Sequence, residues 1–306
     1  MTSVLYDAPG PKAILRSRIF SVVSGLVIAA GLLWLVLALG APKASANGAV
    51  QPGMWDISRW DVFADREVWR SLGRGALNTL RMAGVAAAFA LVLGVLFCFG
   101  RVSETRWVRV PTTVVLEFVR GMPVLLMMLF ILLVFSTGSF WAGVAALSVY
   151  NGAIIGEALR AGITSLPRGQ REAGLAIGLT PVATRFRIEF PQAFRQMLPI
   201  IIAQLVVLLK DTSLAFVVGY EELLRSGRGL TNFFGDRYSF SFFLVVLAIY
   251  LTMNLLLSWL ARVIARRTGS KSGGVTIETK APPENPLAPE LAYPAAPGNQ
   301  MRSPSA

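Results

Sequence analysis

Six long apolar runs alternate with shorter polar stretches along the chain, at about residues 19–40, 77–100, 110–135, 140–160, 197–219 and 240–264. Each is close to the ~20 residues that a helix rising ~1.5 Å per residue needs to cross the hydrocarbon core. Strands with lipid-exposed edges would leave backbone groups unpaired, so the runs predict helices. The pattern implies an all-α membrane protein with about six transmembrane helices, a five-helix core preceded by one N-terminal helix.

The polar stretches carry the orientation. Lys12, Arg16 and Arg18, then Arg101, Arg106 and Arg109, then Arg168, Arg171, Arg185, Arg187 and Arg195, then Arg262, Arg266 and Arg267 flank alternate ends of the runs. On the other side, Asp56, Asp61, Asp65 and Glu67 offset Arg59, Arg66 and Arg70. Lys and Arg favour the cytoplasmic side, so both termini and the long loop after residue 164 are expected in the cytoplasm. Residues 1–71 read as an N-terminal tail, the first span and an external segment, residues 72–267 as the membrane core, and residues 268–306 as a disordered tail with seven prolines. Ala44-Ser45-Ala46 resembles a signal-peptidase site, but the apolar run before it exceeds the ~7–15 residues of a signal peptide, so a retained span is expected. Trp55, Trp60, Phe63 and Trp69 among charges predict an external helix lying at the membrane interface.

Composition narrows the function. The chain has 306 residues, 54% of them hydrophobic and 15% charged, and a net charge of +12. The arginines sit between apolar runs, which fits membrane topology and contact with lipid rather than a nucleic-acid-binding face. No histidine and one cysteine, Cys98, argue against disulfides and against zinc or copper. A membrane enzyme would lack a side-chain set for general acid–base work. No G-x4-G-K-[ST] sequence is present, so the backbone phosphate cradle for ATP is missing.

The cytoplasmic loop is the most informative stretch. "REAGLAIGL" predicts a short helix of small residues ended by Gly178, a residue able to take φ > 0. Thr180 then suits an N-cap and Pro181 the first helical position. A second helix is expected over "VATRFRIEF", stopping before Pro191.

Glu172, Ala173, Gly174, then Gly178, then Ile188, Phe190 and Pro191 resemble the coupling motif of importer-type ABC permeases, E-A-A-x3-G-x9-I-x-L-P. Gly174 stands for an alanine and Phe190 for a leucine, both keeping size class or polarity. "VVLEFVRGMPVLLMML", "YNGAIIGEALRAGITSLPRGQREA" and "LLKDTSLAFVVGYEELLR" resemble the polar-amino-acid branch, with Met122 and Met127 in place of that branch's Thr and Gln. The opening "VLYDAPGPK" and the extra first span resemble the glutamate-uptake permeases of high-GC Gram-positive bacteria. The resemblance implies the type I ABC importer permease fold in a bacterial cytoplasmic membrane. It also implies an ABC ATPase subunit, a second permease subunit, identical or homologous, and an external solute-binding protein. ATP would be used by the partner, with no cofactor on this chain. The loop residues Glu172, Ala173, Gly174, Gly178, Ile188 and Pro191 would then dock into the ATPase.

Charges within spans are costly and mark candidate paths. Lys210, Asp211 and Thr212 lie deep in the fifth run, Arg120 in the third near its expected cytoplasmic end, and Asn151 in the fourth. Lys210 meets either substrate or an acid in a structural pair. Glu117–Arg120 and Glu157–Arg160 have the spacing of ion pairs on one helix face. Asn78 and Arg81 are read as snorkelling outward. The rival reading, a secondary transporter driven by an ion gradient, calls for an inverted repeat with paired broken segments; no second copy of the 172–191 loop or of the Lys210 segment is present.

Overall fold

A computed structural model describes residues 11–44 and 50–268; the proposed tail, residues 268–306, and the first ten residues fall almost wholly outside them. Ten helices follow one another: α1 (Pro11–Gly40), α2 (Arg66–Val102), α3 (Arg106–Gly121), α4 (Val124–Phe135), α5 (Ser139–Thr164), α6 (Arg168–Ala176), α7 (Pro181–Thr184), α8 (Phe190–Asp211), α9 (Leu223–Phe234) and α10 (Ser239–Thr268). The strand content among the described residues is a two-residue antiparallel pair, β1 (Lys43–Ala44) with β2 (Val50–Gln51). Five helical stretches are long and apolar enough to cross a membrane, and the bent pair α3–α4 brings the count to six.

The core forms around α2 and α5. Ala86, Ala90, Gly94 and Cys98 recur every fourth residue on α2 and are all buried. Opposite them on α5 stand Ser148, Gly152 and Gly156, also buried or nearly so. A Cβ on Gly156 would lie 2.9 Å from the Gly94 carbonyl oxygen, and one on Gly94 would lie 2.6 Å from Ile155 Cγ2. Helices in lipid gain little from the hydrophobic effect and associate by close van der Waals approach, which small residues permit. Ser148 Oγ adds a hydrogen bond across the seam to the Ala86 carbonyl at 3.2 Å.

The third run is not one straight span. α3 and α4 meet at 105°. Pro123 has no N–H to donate and pushes Met122 into an extended conformation, φ −91° and ψ 131°. α4 ends where Ser136 takes φ 49° and Gly138 φ 76°.

The segment before α2 also departs from expectation. It is two 3-10 turns, Ile57–Arg59 and Asp61–Ala64, rather than one interfacial helix. Asp56 and Asp65 each accept a backbone N–H two residues on, so the segment is cut into short capped pieces. It packs on protein: Phe63 meets Phe242 at 5.4 Å between ring centroids, and Arg59, 4% exposed, donates to the Arg237 carbonyl at 2.8 Å. α1 buries none of its apolar window against the rest of the described chain. Trp55 Nε1 ties its end by donating to the Val36 carbonyl.

Candidate functional site

The loop between α5 and α8 is built as a hairpin of helix on helix. α6 ends at Ala176, and Gly178 takes φ +85°. Leu179 N–H then closes the turn on the Gly174 carbonyl at 3.1 Å. Thr180 Oγ1 accepts from Ala183 N–H at 3.2 Å, and Pro181 occupies the first helical turn of α7.

The chain does not stop at Pro191. α7 runs into a π-helical turn, Arg185–Glu189, and directly on into α8, making one rod over Pro181–Phe216. The physical reason is the π register. Phe190 N–H reaches back five residues to the Arg185 carbonyl, and the widened turn makes room for a proline ring that has no N–H to satisfy. Pro191 sits exposed within the first turn of α8. The second loop helix is therefore the loop end of a spanning helix, not a separate piece.

Packing sorts the motif into two sides. Gly174 is buried: a Cβ there would lie 2.6 Å from Thr184 Cγ2 and 2.9 Å from Ile188 Cδ1. Its smallness serves the α6–rod contact, where sequence reasoning assigned it to a partner. Glu172, Ala173, Ala176 and Gly178 are exposed, with Ile177 76% and Val182 62% exposed. The exposed turn around Gly178 is thus small and apolar, while Arg168, Gln170, Arg171, Glu172 and Arg187 leave the flanks exposed and charged or polar. Phe186 stacks on Phe99 of α2 at 3.9 Å, 8° from parallel, and Phe190 approaches the same ring at 5.1 Å. Glu104, just before α3, pairs with Arg171 at 2.8 Å and Arg185 at 3.2 Å, holding α6 and the rod together. Sequence reasoning missed Glu104; no local pattern distinguishes it from any loop acid.

The candidate path residues are not brought together. Lys210 is exposed, Asp211 half-buried, and neither forms an ion pair among the described residues. Consecutive helical residues point ~100° apart, so the two cannot face one another. Lys210 and Ser213 edge a groove of about 420 Å³ walled by Phe243, Leu247, Tyr250 and Asn254 of α10. Thr212 is fully buried and donates to the Leu209 carbonyl at 2.7 Å. Asn151 is likewise buried in the α5–α8 contact: it donates to Leu147 O and accepts from Gln204 Nε2, both at 2.8 Å. Arg120 is exposed, 3.5 Å from Glu117, at the edge of a network in which Arg101 bridges Glu117 and Glu157 and Arg160 also meets Glu157.

A second polar knot, unforeseen, ties the far end of α2 to α9. Glu222, fully buried, caps α9 through Leu224 and Arg225 N–H groups and accepts from Tyr250 Oη. Thr79 Oγ1 accepts from Leu223 N–H at 3.1 Å, and Asn78 donates to Glu221 O at 2.8 Å instead of snorkelling. Arg81 lies over the Phe140 ring. An acid just before "LLR" is a readable cap signal; its burial is not.

The sequence model for the inner membrane component of binding-protein-dependent transport systems matches residues 89–270. This chain belongs to that family. The glutamate transport system permease protein GluD of Corynebacterium glutamicum is 36% identical to this permease over 239 residues, 75% of this chain and 87% of that one. The glutamine transport system permease protein GlnP of Escherichia coli is 32% identical over 200 residues, 63% of this chain and 90% of that one. Among solved structures, that of an amino acid ABC transporter with histidines aligns with a TM-score of 0.61 and 26% identity, over 68% of this permease and 98% of that chain. The inward-facing MetNI methionine ABC transporter aligns at 0.58 and 20% identity, a likeness of fold alone. The permease has the type I importer fold and is an amino-acid ABC transport component, not an enzyme.

Proposed function

We propose that this permease forms the membrane path of an ATP-driven importer of polar amino acids, with glutamate as substrate. The observation that carries the coupling half is the loop itself: a capped hairpin whose exposed turn is small and apolar and whose second arm continues as a spanning helix. Such a lever suits a partner ATPase that binds and hydrolyses ATP, this chain holding no cofactor. An external solute-binding protein and a second permease, identical or homologous, complete the assembly. The α6 side faces the cytoplasm, as do both termini, since the excess of arginine lies there. Glutamate rests on the 36% identity to GluD and on an unpaired ammonium, Lys210, at a groove beside α10.

Reconstitution tests both halves. The permease, assembled with its ATPase and binding protein in proteoliposomes, should accumulate labelled glutamate only with ATP inside, and unlabelled glutamine or arginine should compete weakly. Uptake driven by an ion gradient without ATP would refute the importer reading; preference for another amino acid would refute glutamate alone.

A further inference from the structure

One cavity adjoins the coupling hairpin and shares Arg171, Glu172 and Arg185 with it. It lies between the α6 hairpin and the nearby ends of α2, α3 and α5, with a volume of about 590 Å³. Six arginines reach its wall: Arg101, Arg109, Arg160, Arg168, Arg171 and Arg185, with Glu172 and Glu189 the wall's carboxylates. Four of the six are matched by Glu104, Glu117 and Glu157. Arg109 reaches only the Ser103 carbonyl, at 3.2 Å, and Arg168 makes neither ion pair nor side-chain hydrogen bond among the described residues. Two guanidiniums therefore have donors to spare in a place where three carboxylates are already shared. Glu189 is 7% exposed, and its buried Oε2 has no hydrogen-bond partner. A ligand matching this wall carries an anion for the arginines and a hydroxyl for Glu189.

The adjoining surface says where such a ligand comes from. Arg106, Arg109, Thr113, Glu117 and Arg120 form one polar stripe along α3, at spacings of three and four. Leu116 and Val119 of the same helix are buried, while a third face is apolar and uncovered: Trp107 is 89% exposed, Val114 63% and Phe118 68%. An arginine stripe beside a bare apolar face is the pattern of a helix lodged at a lipid–water boundary. Anionic lipids of the cytoplasmic leaflet attract basic groups there.

We propose that this cavity binds the phosphodiester headgroup of an anionic glycerophospholipid, its acyl chains lying along the apolar face of α3. Arg109 and Arg168 hold the phosphate, and Glu189 accepts from a headgroup hydroxyl. Because Arg171 and Arg185 of the α6 hairpin share the wall, an occupied cavity braces the hairpin against α3. The site goes beyond the transport reading and would stand if the substrate were another amino acid.

Trp107 is a built-in reporter. The full chain is placed in nanodiscs of phosphatidylcholine and phosphatidylglycerol, with bromine on the acyl chains of one lipid at a time. The Trp107 contribution is the difference between the wild type and Trp107→Phe. Brominated phosphatidylglycerol should quench it on the order of tenfold more effectively per mole fraction than brominated phosphatidylcholine. Each of Arg109→Gln and Arg168→Gln should cut that preference about fivefold, the effect of one basic group near an anionic surface. Arg109→Lys should retain most of it. Equal quenching by the two lipids in the wild type would overturn the proposal without recourse to any variant. So would loss of the preference on adding millimolar glycerol phosphate, which would make the site one for soluble anions. Displacement of the lipid by the saturating ATPase subunit would assign the arginines to a protein interface and overturn it too.

Discussion

Gly174 stands where the family motif carries alanine, and the geometry of this hairpin predicts that restoring alanine does harm. The added Cβ would lie 2.6 Å from Thr184 Cγ2. Carbon atoms rest at about 3.5–4.0 Å, so α6 must retreat by roughly 1 Å. Ile188 Cδ1, at 2.9 Å, is the far end of a flexible side chain and can swing away. Thr184 has less room to yield: its methyl sits directly on a β-branched carbon with two helical rotamers, and its Oγ1, 3.0 Å from the added Cβ, is crowded too. Overpacking of this kind costs about 1–3 kcal/mol, while alanine in a helix gains at most about 1 kcal/mol over glycine, less near a C-terminus. The balance is about 1 kcal/mol against Gly174→Ala.

The second half of the cycle sharpens the test. Thr184 Oγ1 is buried without a hydrogen-bond partner. Thr184→Ala therefore removes both the clashing methyl and an unsatisfied hydroxyl, and on its own should be near neutral. In that background Gly174→Ala keeps the helix gain and loses the overlap, so the pair should couple by about 2 kcal/mol. Amide exchange of the 168–190 hairpin in the assembled permease reads this locally. Gly174→Ala should lower protection about fivefold, and the double variant should match or exceed the wild type. If Gly174→Ala raises protection equally in both backgrounds, α6 does not press on Thr184 and the assignment of Gly174 to internal packing is wrong.

Other expectations follow from the same contacts. Gly178→Val has open space around it but must hold φ near +85°, at a cost of about 1–3 kcal/mol; the hairpin turn should open and ATP-dependent uptake fall while membrane insertion is unchanged. Lys210→Met should leave melting temperature and assembly yield unaltered, because no ion pair is broken, and should reduce uptake strongly if the ammonium meets substrate; full uptake removes Lys210 from the path. Gly156→Leu places a side chain against the Gly94 backbone, 2.9 Å away at Cβ, where nothing flexible can yield, so the yield of folded permease should collapse while Gly156→Ala falls between.

What the sequence made legible follows from which interactions are local. The six apolar runs, the Gly178 turn and the Thr180–Pro181 start depend on residues within a few positions, and the helices stand where those signals put them. Hydropathy is blind to direction, so Gly121-Met122-Pro123 passed as the middle of a span although Pro123 bends it. Pro191 misled for the opposite reason: the rule that proline stops a helix assumes an α register, and five residues of π-helix lift the clash. Burial was the least legible property. Asn151 carries the composition of a path residue, yet Gln204, fifty-three positions away, makes it an interhelical clasp. Glu104, Glu189 and Glu222 gain their meaning only from partners or neighbours brought by other helices.

These misreadings bear on how force would cross the molecule. A hairpin tethered by ordinary loops would absorb a push from outside by bending. Here the second arm is the spanning helix itself, and the first arm presses on it through a glycine contact with no slack. The Phe186–Phe99 stack then joins the same rod to the end of α2, and α2 is locked to α5 by the Gly94–Gly156 approach. Packed interfaces of this sort have discrete arrangements rather than a continuum. A displacement of α6 must therefore move the rod and α2 as one body or break the stack. The break at Met122–Pro123 separates α4 from α3, but α4 packs chiefly on α5 and buries Met127 and Met128 in the same core, so the bend frees α3 from α4 without freeing α4 from that body.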